Sequence, residues 1–277
     1  MIKKLLKPSN LPMLLTAPYF ILCLLFLVFP LTAVVISGFG HGLGSMRAVL
    51  TKPIYVKSLL NSLTLSTMVT IEASVLGATL ALFWVKRIIK DNWFLSILNF
   101  AANNGGITLA FAIIATLGSS GFLTLLLKAF GINLYPGFNI VSLTGLNLAY
   151  LCFLVPYMAL LFMPAAGCLK KEWWESAQIL GSNKLRYILK VAGPVLLPSF
   201  LSSACLVFLT SLGTYATAYA ISGNNVDLIT IHIGALIQTS ILKMTDAYTL
   251  SFLLFIIMLI FIFIYQNVNL KAGRWLR

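Results

Sequence analysis

The sequence predicts an all-α, polytopic membrane protein with six transmembrane helices. Of its 277 residues, 60% are hydrophobic and only 9% are charged, whereas soluble domains have about 45–50% apolar and about 25% charged residues. Lipid admits only helices or closed barrels, because every backbone polar group must be satisfied internally. Long, continuous apolar runs favour helices over barrel strands. We therefore expect residues 1–277 to form one transmembrane domain.

Six apolar runs define the predicted helices, each long enough for the ~20 residues that cross a bilayer. In chain order they lie at about 14–38, 59–85, 94–117, 141–168, 195–221 and 246–270. The first run begins with basic residues, as a signal peptide does. It is too long for one and is followed by no clear small-residue cleavage site, so we interpret it as the first transmembrane helix.

The distribution of Lys and Arg predicts the orientation. The formal net charge is +13, but the basic residues lie mostly in short segments between apolar runs, where they control topology. We therefore expect no nucleic-acid partner. With a cytoplasmic N-terminus, fourteen basic residues lie inside and five outside. The inside set is Lys3, Lys4, Lys7, Lys86, Arg87, Lys90, Lys170, Lys171, Lys184, Arg186, Lys190, Lys271, Arg274 and Arg277. Both termini are thus predicted to be cytoplasmic, with segments 40–58, 118–140 and 222–245 outside.

Catalytic and metal-binding motifs are missing from the sequence. There is no G-x-x-x-x-G-K-[ST], G-x-S-x-G or H-E-x-x-H, so we expect a chain that is not an enzyme and does not hydrolyse ATP by itself. The four cysteines lie in or beside apolar runs without paired spacing, and His41 and His232 lie far apart. These patterns predict no disulfide, no metal site and no cofactor. The cysteines are Cys23, Cys152, Cys168 and Cys205.

Segment 170–194 is the one long polar interval within the apolar sequence. It carries five Lys or Arg and two Glu between apolar residues, which predicts an amphipathic element outside the lipid, on the cytoplasmic side. We expect two short helices bounded by Gly181 and Pro194. Gly181 permits a turn that a side chain would obstruct. Pro194 and Pro198 then restart the backbone at the entry to the fifth span, since proline is tolerated in a first helical turn.

The order of residues in this segment resembles a known motif. Glu175-Ser176-Ala177, three residues, Gly181, nine residues and then Val191-Ala192-Gly193-Pro194 is similar to the EAA loop of permease subunits in bacterial binding-protein-dependent ABC importers. Ser176, Val191 and Gly193 depart from the family pattern. Further matches lie between about residues 60 and 225. They are Asn61-Ser62-Leu63, Leu148-Ala149-Tyr150, Pro156-Tyr157-Met158 and Ser211-Leu212-Gly213-Thr214-Tyr215.

The resemblance implies a mechanism and a set of partners. In that family the loop forms a coupling helix that docks into a groove of a cytoplasmic ATPase. Two ATP-binding subunits, a second permease (a copy or a paralogue) and an extracytoplasmic substrate-binding protein complete the importer in the bacterial inner membrane. The basic inner rim should also favour anionic membrane lipids.

The resemblance also assigns residues to the coupling loop. Glu175, Ala177 and Gly181 are its matched positions, and Ser176 occupies the substituted one. Apolar side chains between them could fill the ATPase groove: Trp173, Trp174, Ile179 and Leu180. The alternative for the two tryptophans is the interfacial aromatic belt of the membrane.

Two irregularities inside the spans are candidates for the substrate path. Glu72 lies near the middle of the second span, where an unpaired carboxylate is costly, so it either lines the path or is paired structurally. It lies beside, not on, a stripe of small and polar residues: Ser62, Ser66, Thr70, Ala73 and Gly77. Asn103 and Asn104 precede a Gly-Gly pair that breaks the third span, which indicates either a path-lining interruption or close helix packing.

The cargo is predicted only by analogy. The layout is most similar to the polyamine branch of these permeases, and Glu72 favours a cation, so spermidine or putrescine is the first expectation. Ferric iron, thiamine, phosphonate or another small solute is the alternative. A different class, an ion-coupled secondary carrier, would be expected to place ionisable residues within its spans. Here only Glu72 lies clearly mid-span.

Overall fold

A computed structural model describes residues 11–39, 42–85, 92–135, 137–239 and 244–274. These ranges are predominantly helical and contain no strand, which confirms the all-α prediction. A π-helical turn at Leu24–Val28 joins α1 to α2, and another at Ile188–Ala192 joins α10 to α11. The helices are α1 (Leu11–Cys23), α2 (Phe29–Phe39), α3 (Gly42–Leu50), α4 (Pro53–Val85), α5 (Asn92–Asn103), α6 (Ile107–Leu117), α7 (Phe122–Ala129), α8 (Leu143–Gly167), α9 (Lys171–Ile179), α10 (Lys184–Tyr187), α11 (Gly193–Gly213), α12 (Ala216–Ser222), α13 (Ile229–Thr239) and α14 (Met244–Arg274).

Six helical stretches of the described chain are long and apolar enough to cross a membrane, as predicted. They are Pro18–Phe39, Pro53–Val85, Ile107–Ala129, Leu143–Gly167, Lys184–Gly213 and Met244–Asn267. The first, fourth and sixth agree with the predicted runs to within a few residues, and the second begins at Pro53 rather than at residue 59. Several residues of the predicted charge pattern lie outside the described ranges: Lys3, Lys4, Lys7, Lys86, Arg87, Lys90, Lys243 and Arg277, together with His41.

The predicted bounds of the third span, 94–117, are wrong, although the predicted break is confirmed. The chain is broken between Asn103 and Ile107, where Gly106 adopts φ +87°. Helix α5 is therefore a separate 12-residue element, too short to cross a bilayer at 1.5 Å per residue. The apolar stretch instead runs from Ile107 to Ala129, with a turn at 118–121 between its two helices, α6 and α7. That stretch includes part of the segment 118–140 that was predicted to lie outside.

The predicted restart of the fifth span at Pro194 is also wrong. The helical stretch begins at Lys184 and continues past Pro194 and Pro198 to Gly213. The Gly193 amide donates to Ile188 O, an i→i+5 bond that completes the π-helical turn just before Pro194. A Cβ atom at Gly193 would lie 2.8 Å from that carbonyl oxygen. Glycine at position 193, a departure from the family motif, therefore avoids a steric clash in this turn. The end of the span was also predicted too late, because α11 ends at Gly213 and α12 is a separate element.

The core lies where α4, α8 and α11 pack against one another. Val69, Leu154 and Val207 have no exposed surface. Helices α4 and α8 approach closely at Gly77, because a Cβ atom there would lie 2.7 Å from both Met158 Cβ and Val155 O. Small residues permit such close approach in membrane helices. The predicted stripe faces this core, with Ser62, Ser66, Ala73 and Gly77 buried and Thr70 half-buried.

Candidate functional site

Helix α9 ends in a turn that Gly181 makes possible. Gly181 adopts φ +73°, a conformation that costs residues with a Cβ about 1–2 kcal/mol. The Ser182 amide donates to Ala177 O and the Gly181 amide donates to Gln178 O, both at 2.9 Å. This pair of bonds is the Schellman motif, which satisfies the last carbonyls of a helix. The matched motif glycine thus fixes where α9 stops and how the chain leaves it.

Asn183 starts α10 immediately after this turn. Its Oδ1 atom accepts a hydrogen bond from the Arg186 amide at 2.8 Å, which caps the helix. Gly181 and Asn183 together therefore connect α9 to α10 through a short corner in which both helix ends are capped. The sequence analysis identified the glycine but missed the cap, although Asn before a short basic helix is a recognisable N-cap signal.

Replacing Asn183 by alanine should loosen this corner. Loss of an N-cap costs about 0.5–2 kcal/mol, so the amides of 184–187 are expected to exchange with solvent several-fold faster in the N183A variant. Hydrogen exchange followed by mass spectrometry would measure this. Asn183→Ser should restore protection, because serine is also a good cap. Ser182→Ala is the control. It removes only a 3.4 Å hydroxyl contact and should leave the exchange rates unchanged. Equal exchange in N183A and wild type would refute the capping role.

The two faces of α9 have different surroundings. Trp174 packs on the Tyr187 ring at a centroid distance of 5.2 Å, and Ala177 is also partly buried on that side. At 100° per residue, Ser176 and Ile179 lie on the opposite face. Trp174 is therefore an inward contact that holds α9 against α10. Trp173 lies between the two faces and is partly exposed.

An apolar ledge is exposed at the corner between α9 and α10. Ile179 and Leu180 are 87% and 85% exposed, the highest values among the large apolar residues that the structure describes. Leu185 of α10 and Leu189 of the following π-helical turn are also exposed. Beside this ledge, Glu175 forms an ion pair with Lys171 at a distance of 3.0 Å. This contact raises the pKa of Lys171. Ile179 and Leu180, called the ledge below, are an exposed apolar pair of the kind that marks interaction sites.

The break in the third span meets the break in the fifth. The Gly106 amide donates to Thr217 Oγ1 at 2.8 Å, which ties the start of α6 to α12. Tyr150 of α8 donates to Thr214 O at 3.2 Å, where the chain leaves α11. Backbone groups freed at a helix break must find partners in protein or water. The sequence analysis missed the bridging roles of Tyr150 and Thr217, since neither residue type signals such a contact alone.

The candidate path residues make separate contacts. Asn103 is exposed, and its side-chain amide donates to Asn99 O one turn back at 2.9 Å. Asn104 is half-buried at the break. Glu72 accepts a hydrogen bond from Asn147 Nδ2 at 2.7 Å, which ties α4 to α8. Asn147 Oδ1 is buried and has no partner among the described residues.

At the end of the bundle opposite α9, polar contacts hold the segment that precedes α13. Asp227 forms an ion pair with Lys57 at 3.0 Å and contacts His232 at 3.3 Å. Asn61 donates to Asp227 O, and the Ile229 amide donates to Ser62 Oγ. The motif residues Asn61 and Ser62 therefore have a structural use, because they join α4 to the turn before α13.

Acidification should weaken this outer cluster. The hydrogen bond from Lys57 holds the pKa of Asp227 below its ordinary value, against partial burial, and the Lys57 charge and His232 lower it further. Because its pKa is lower in the folded state, ionised Asp227 stabilises the fold at pH values above its unfolded-state pKa of about 3.9. This contribution is lost as the pH falls through the folded-state pKa. Thermal unfolding in detergent should therefore show a difference between wild type and Asp227→Asn at pH 7 that shrinks below about pH 4. A difference independent of pH would contradict this.

Comparison with solved structures defines the class of fold. The chain superposes on a chain of a bacterial ABC transporter involved in the import of the acidic polysaccharide alginate, with a TM-score of 0.73, 15% identity and 98% of both chains covered. It also matches a chain of the MetNI methionine ABC transporter in inward facing conformations, with a TM-score of 0.58, 17% identity and coverage of 79% of this chain and 96% of that one. The chain therefore shares its fold with a chain of each of these two transporters.

Curated relatives are permease proteins. A putative 2-aminoethylphosphonate transport system permease protein of Salmonella typhi is 28% identical over 197 residues, 67% of this chain and 65% of the relative. A putative ferric transport system permease protein of Haemophilus influenzae is 28% identical over 260 residues, 90% of this chain and 40% of the relative. A thiamine transport system permease protein of the same species is 26% identical over 159 residues, 57% of this chain and 29% of the relative. The chain therefore spans less than two thirds of the length of these relatives. No family model matches the sequence.

Proposed function

We propose that this protein is a permease subunit of a bacterial ABC importer, in which segment 170–194 couples the membrane domain to a separate ATPase. The observation that carries the proposal is the exposed apolar ledge at a corner whose two helix ends are capped by Gly181 and Asn183. Exposed apolar surface of this kind marks interaction sites, and the ledge could insert into a groove of a partner. The permease relatives and the shared fold support the same assignment.

The proposal includes a full set of partners. Two cytoplasmic ATP-binding subunits supply hydrolysis, since the chain itself carries no phosphate-binding loop of the G-x-x-x-x-G-K-[ST] type. A second permease, a copy or a paralogue, supplies the other half of the translocation pathway, and an extracytoplasmic binding protein delivers the substrate. We place the protein in the inner membrane with both termini and α9 in the cytoplasm, following the predicted charge bias.

The test is affinity purification of the tagged, full-length protein in mild detergent, followed by assay of ATPase activity in the eluate. Gly181→Trp is compared with wild type. A Cβ atom at Gly181 would meet nothing within 4 Å, so the substitution distorts the turn and obstructs the ledge without crowding the core. ATPase and a second permease should accompany wild type and be lost from the variant. A protein that purifies alone and transports in liposomes without ATP would instead be a secondary carrier.

The substrate path is a second part of the proposal. We propose that Asn103 and Asn104 line it, because they flank a helix break and Asn103 is exposed. Cysteine at either position should react with a soluble maleimide reagent, and substrate should slow the reaction. For Glu72, the Asn147 contact favours a structural pairing over a path role. Transport rate and apparent affinity unchanged in Glu72→Gln would exclude the path role.

The cargo is proposed at the level of a small solute delivered by a binding protein. Relatives named for phosphonate, ferric and thiamine transport favour those cargoes, and the relatives reported above include no polyamine system. The structural pairing of Glu72 with Asn147 also leaves the polyamine expectation without a residue to support it. Uptake of 2-aminoethylphosphonate, ferric ion, thiamine and spermidine by cells with and without this protein would decide among them.

A further inference from the structure

A crevice lies between α9 and the ends of the spans, on the face of α9 that points away from the exposed ledge. Its volume is about 510 Å³. Leu82 of α4, Leu169 after α8 and Ile188 of the π-helical turn form its apolar walls. Trp174 and Tyr187 close it on the side of α9 and α10. The crevice is thus a separate surface from the one proposed to meet the ATPase.

The rim of this crevice is basic. Lys170, Lys171 and Lys184 line it. Lys171 is held by Glu175, whereas Lys170 and Lys184 have no acidic partner in the part of the chain that the structure describes. Two uncompensated ammonium groups at the mouth of an apolar cleft attract an anion whose remainder is apolar.

A second apolar crevice of about 380 Å³ continues from the first along α11. The two share the walls Leu82, Leu169, Tyr187 and Ile188, and the second extends to Leu197 and Phe200. The combined cleft therefore runs from a cationic rim into an apolar channel between membrane-spanning helices. A soluble anion would use the rim alone, whereas an amphiphile would use its whole length.

We propose that this cleft binds an anionic phospholipid, with its phosphate between Lys170 and Lys184 and an acyl chain along Leu82, Ile188 and Leu197. The charge at the rim is complementary to a phosphodiester, and the apolar walls lie at the end of spans that are themselves in lipid. Trp174 packs on Tyr187 and also lines the cleft. A bound lipid would therefore contact α9 on the face opposite the ledge. The inference goes beyond the proposed ATPase docking and does not depend on it.

The experiment uses the full chain purified in detergent and exposed to equal amounts of phosphatidylglycerol and phosphatidylcholine, with bound lipid counted by native mass spectrometry. Phosphatidylglycerol should be retained selectively. Each basic residue near a membrane surface contributes about 1 kcal/mol, so Lys170→Gln with Lys184→Gln should reduce its retention roughly 10- to 30-fold. The matched control, Arg47→Gln with Lys128→Gln, removes the same charge at the opposite end of the spans and should leave retention unchanged.

Two further experiments distinguish a bound lipid from a bound free phosphate. Leu197→Trp narrows the apolar channel without touching the lysines and should also abolish selective retention. Brominated phosphatidylglycerol should quench a fluorescence component that is missing in Trp174→Phe. Equal retention of both lipids, unchanged retention in the double lysine variant, or displacement by glycerol 3-phosphate alone would each overturn the proposal.

Discussion

Replacing Ile179 and Leu180 together by aspartate is expected to abolish recovery of the ATPase with this protein. Both side chains are more than four-fifths exposed, so the substitution does not remove a core contact of the chain itself. Burying a large aliphatic side chain in a partner contributes about 1.5–3 kcal/mol, and two together therefore control at least a hundredfold in affinity. The measurement is the amount of ATPase that co-purifies per mole of permease.

The control for this variant keeps the ledge apolar. Ile179→Leu with Leu180→Met preserves apolar area and should retain at least half of the ATPase, because volume-conserving apolar exchanges are usually tolerated. Thermal stability should be unchanged in the apolar control, since the ledge makes no core contact. It should fall only slightly in the aspartate variant, because two carboxylates at the C-terminus of α9 oppose the helix dipole at a cost of about 0.3–1 kcal/mol each. Wild-type recovery of the ATPase with the aspartate variant would show that the ledge is not the docking surface, whatever the function of the chain.

Replacing Gly77 by leucine is expected to have the largest effect on stability. A Cβ atom alone would lie 2.7 Å from both Met158 Cβ and Val155 O. The second of these is backbone, so α4 and α8 must separate to admit any side chain. Overpacking usually costs about 1–3 kcal/mol, and a leucine between two closely packed helices should exceed that range. We expect little folded protein, seen as aggregation on size exclusion in detergent.

A graded series makes the packing explanation testable. Gly77→Ala should be destabilised less than Gly77→Leu but measurably, by thermal unfolding in detergent. Gly44→Ala is the matched control, because nothing lies within 4 Å of its Cβ position, and alanine at a compatible helical position is neutral or stabilising. A Gly77→Ala protein as stable as Gly44→Ala would show that α4 and α8 do not approach as closely as described.

The coupling segment was predictable because its signals are local. A polar interval between apolar runs, a glycine at a helix end and the motif spacing each lie within about 25 residues of sequence. The cap at Asn183 was equally local and could have been found. The orientation of Trp174 could not, because the ring that it packs against, Tyr187, lies on the next helix. Which tryptophan faces inward depends on that corner and not on composition.

The sequence by itself determined the all-α class, six apolar spans, the break at Asn104-Gly105-Gly106 and the polar segment. These follow from hydrophobic periodicity and from glycine conformation, which act over one or two helical turns. Only the tertiary structure decided that the third span begins after the break, that Pro194 continues a helix, that Glu72 contacts Asn147 and that a basic crevice lies beneath α9. The Glu72 contact and the crevice join residues distant in the chain, and no local pattern encodes which side chains will meet. Pro194 continues a helix because the Gly193 amide bonds to Ile188 O, a local geometry that the residue types alone do not signal.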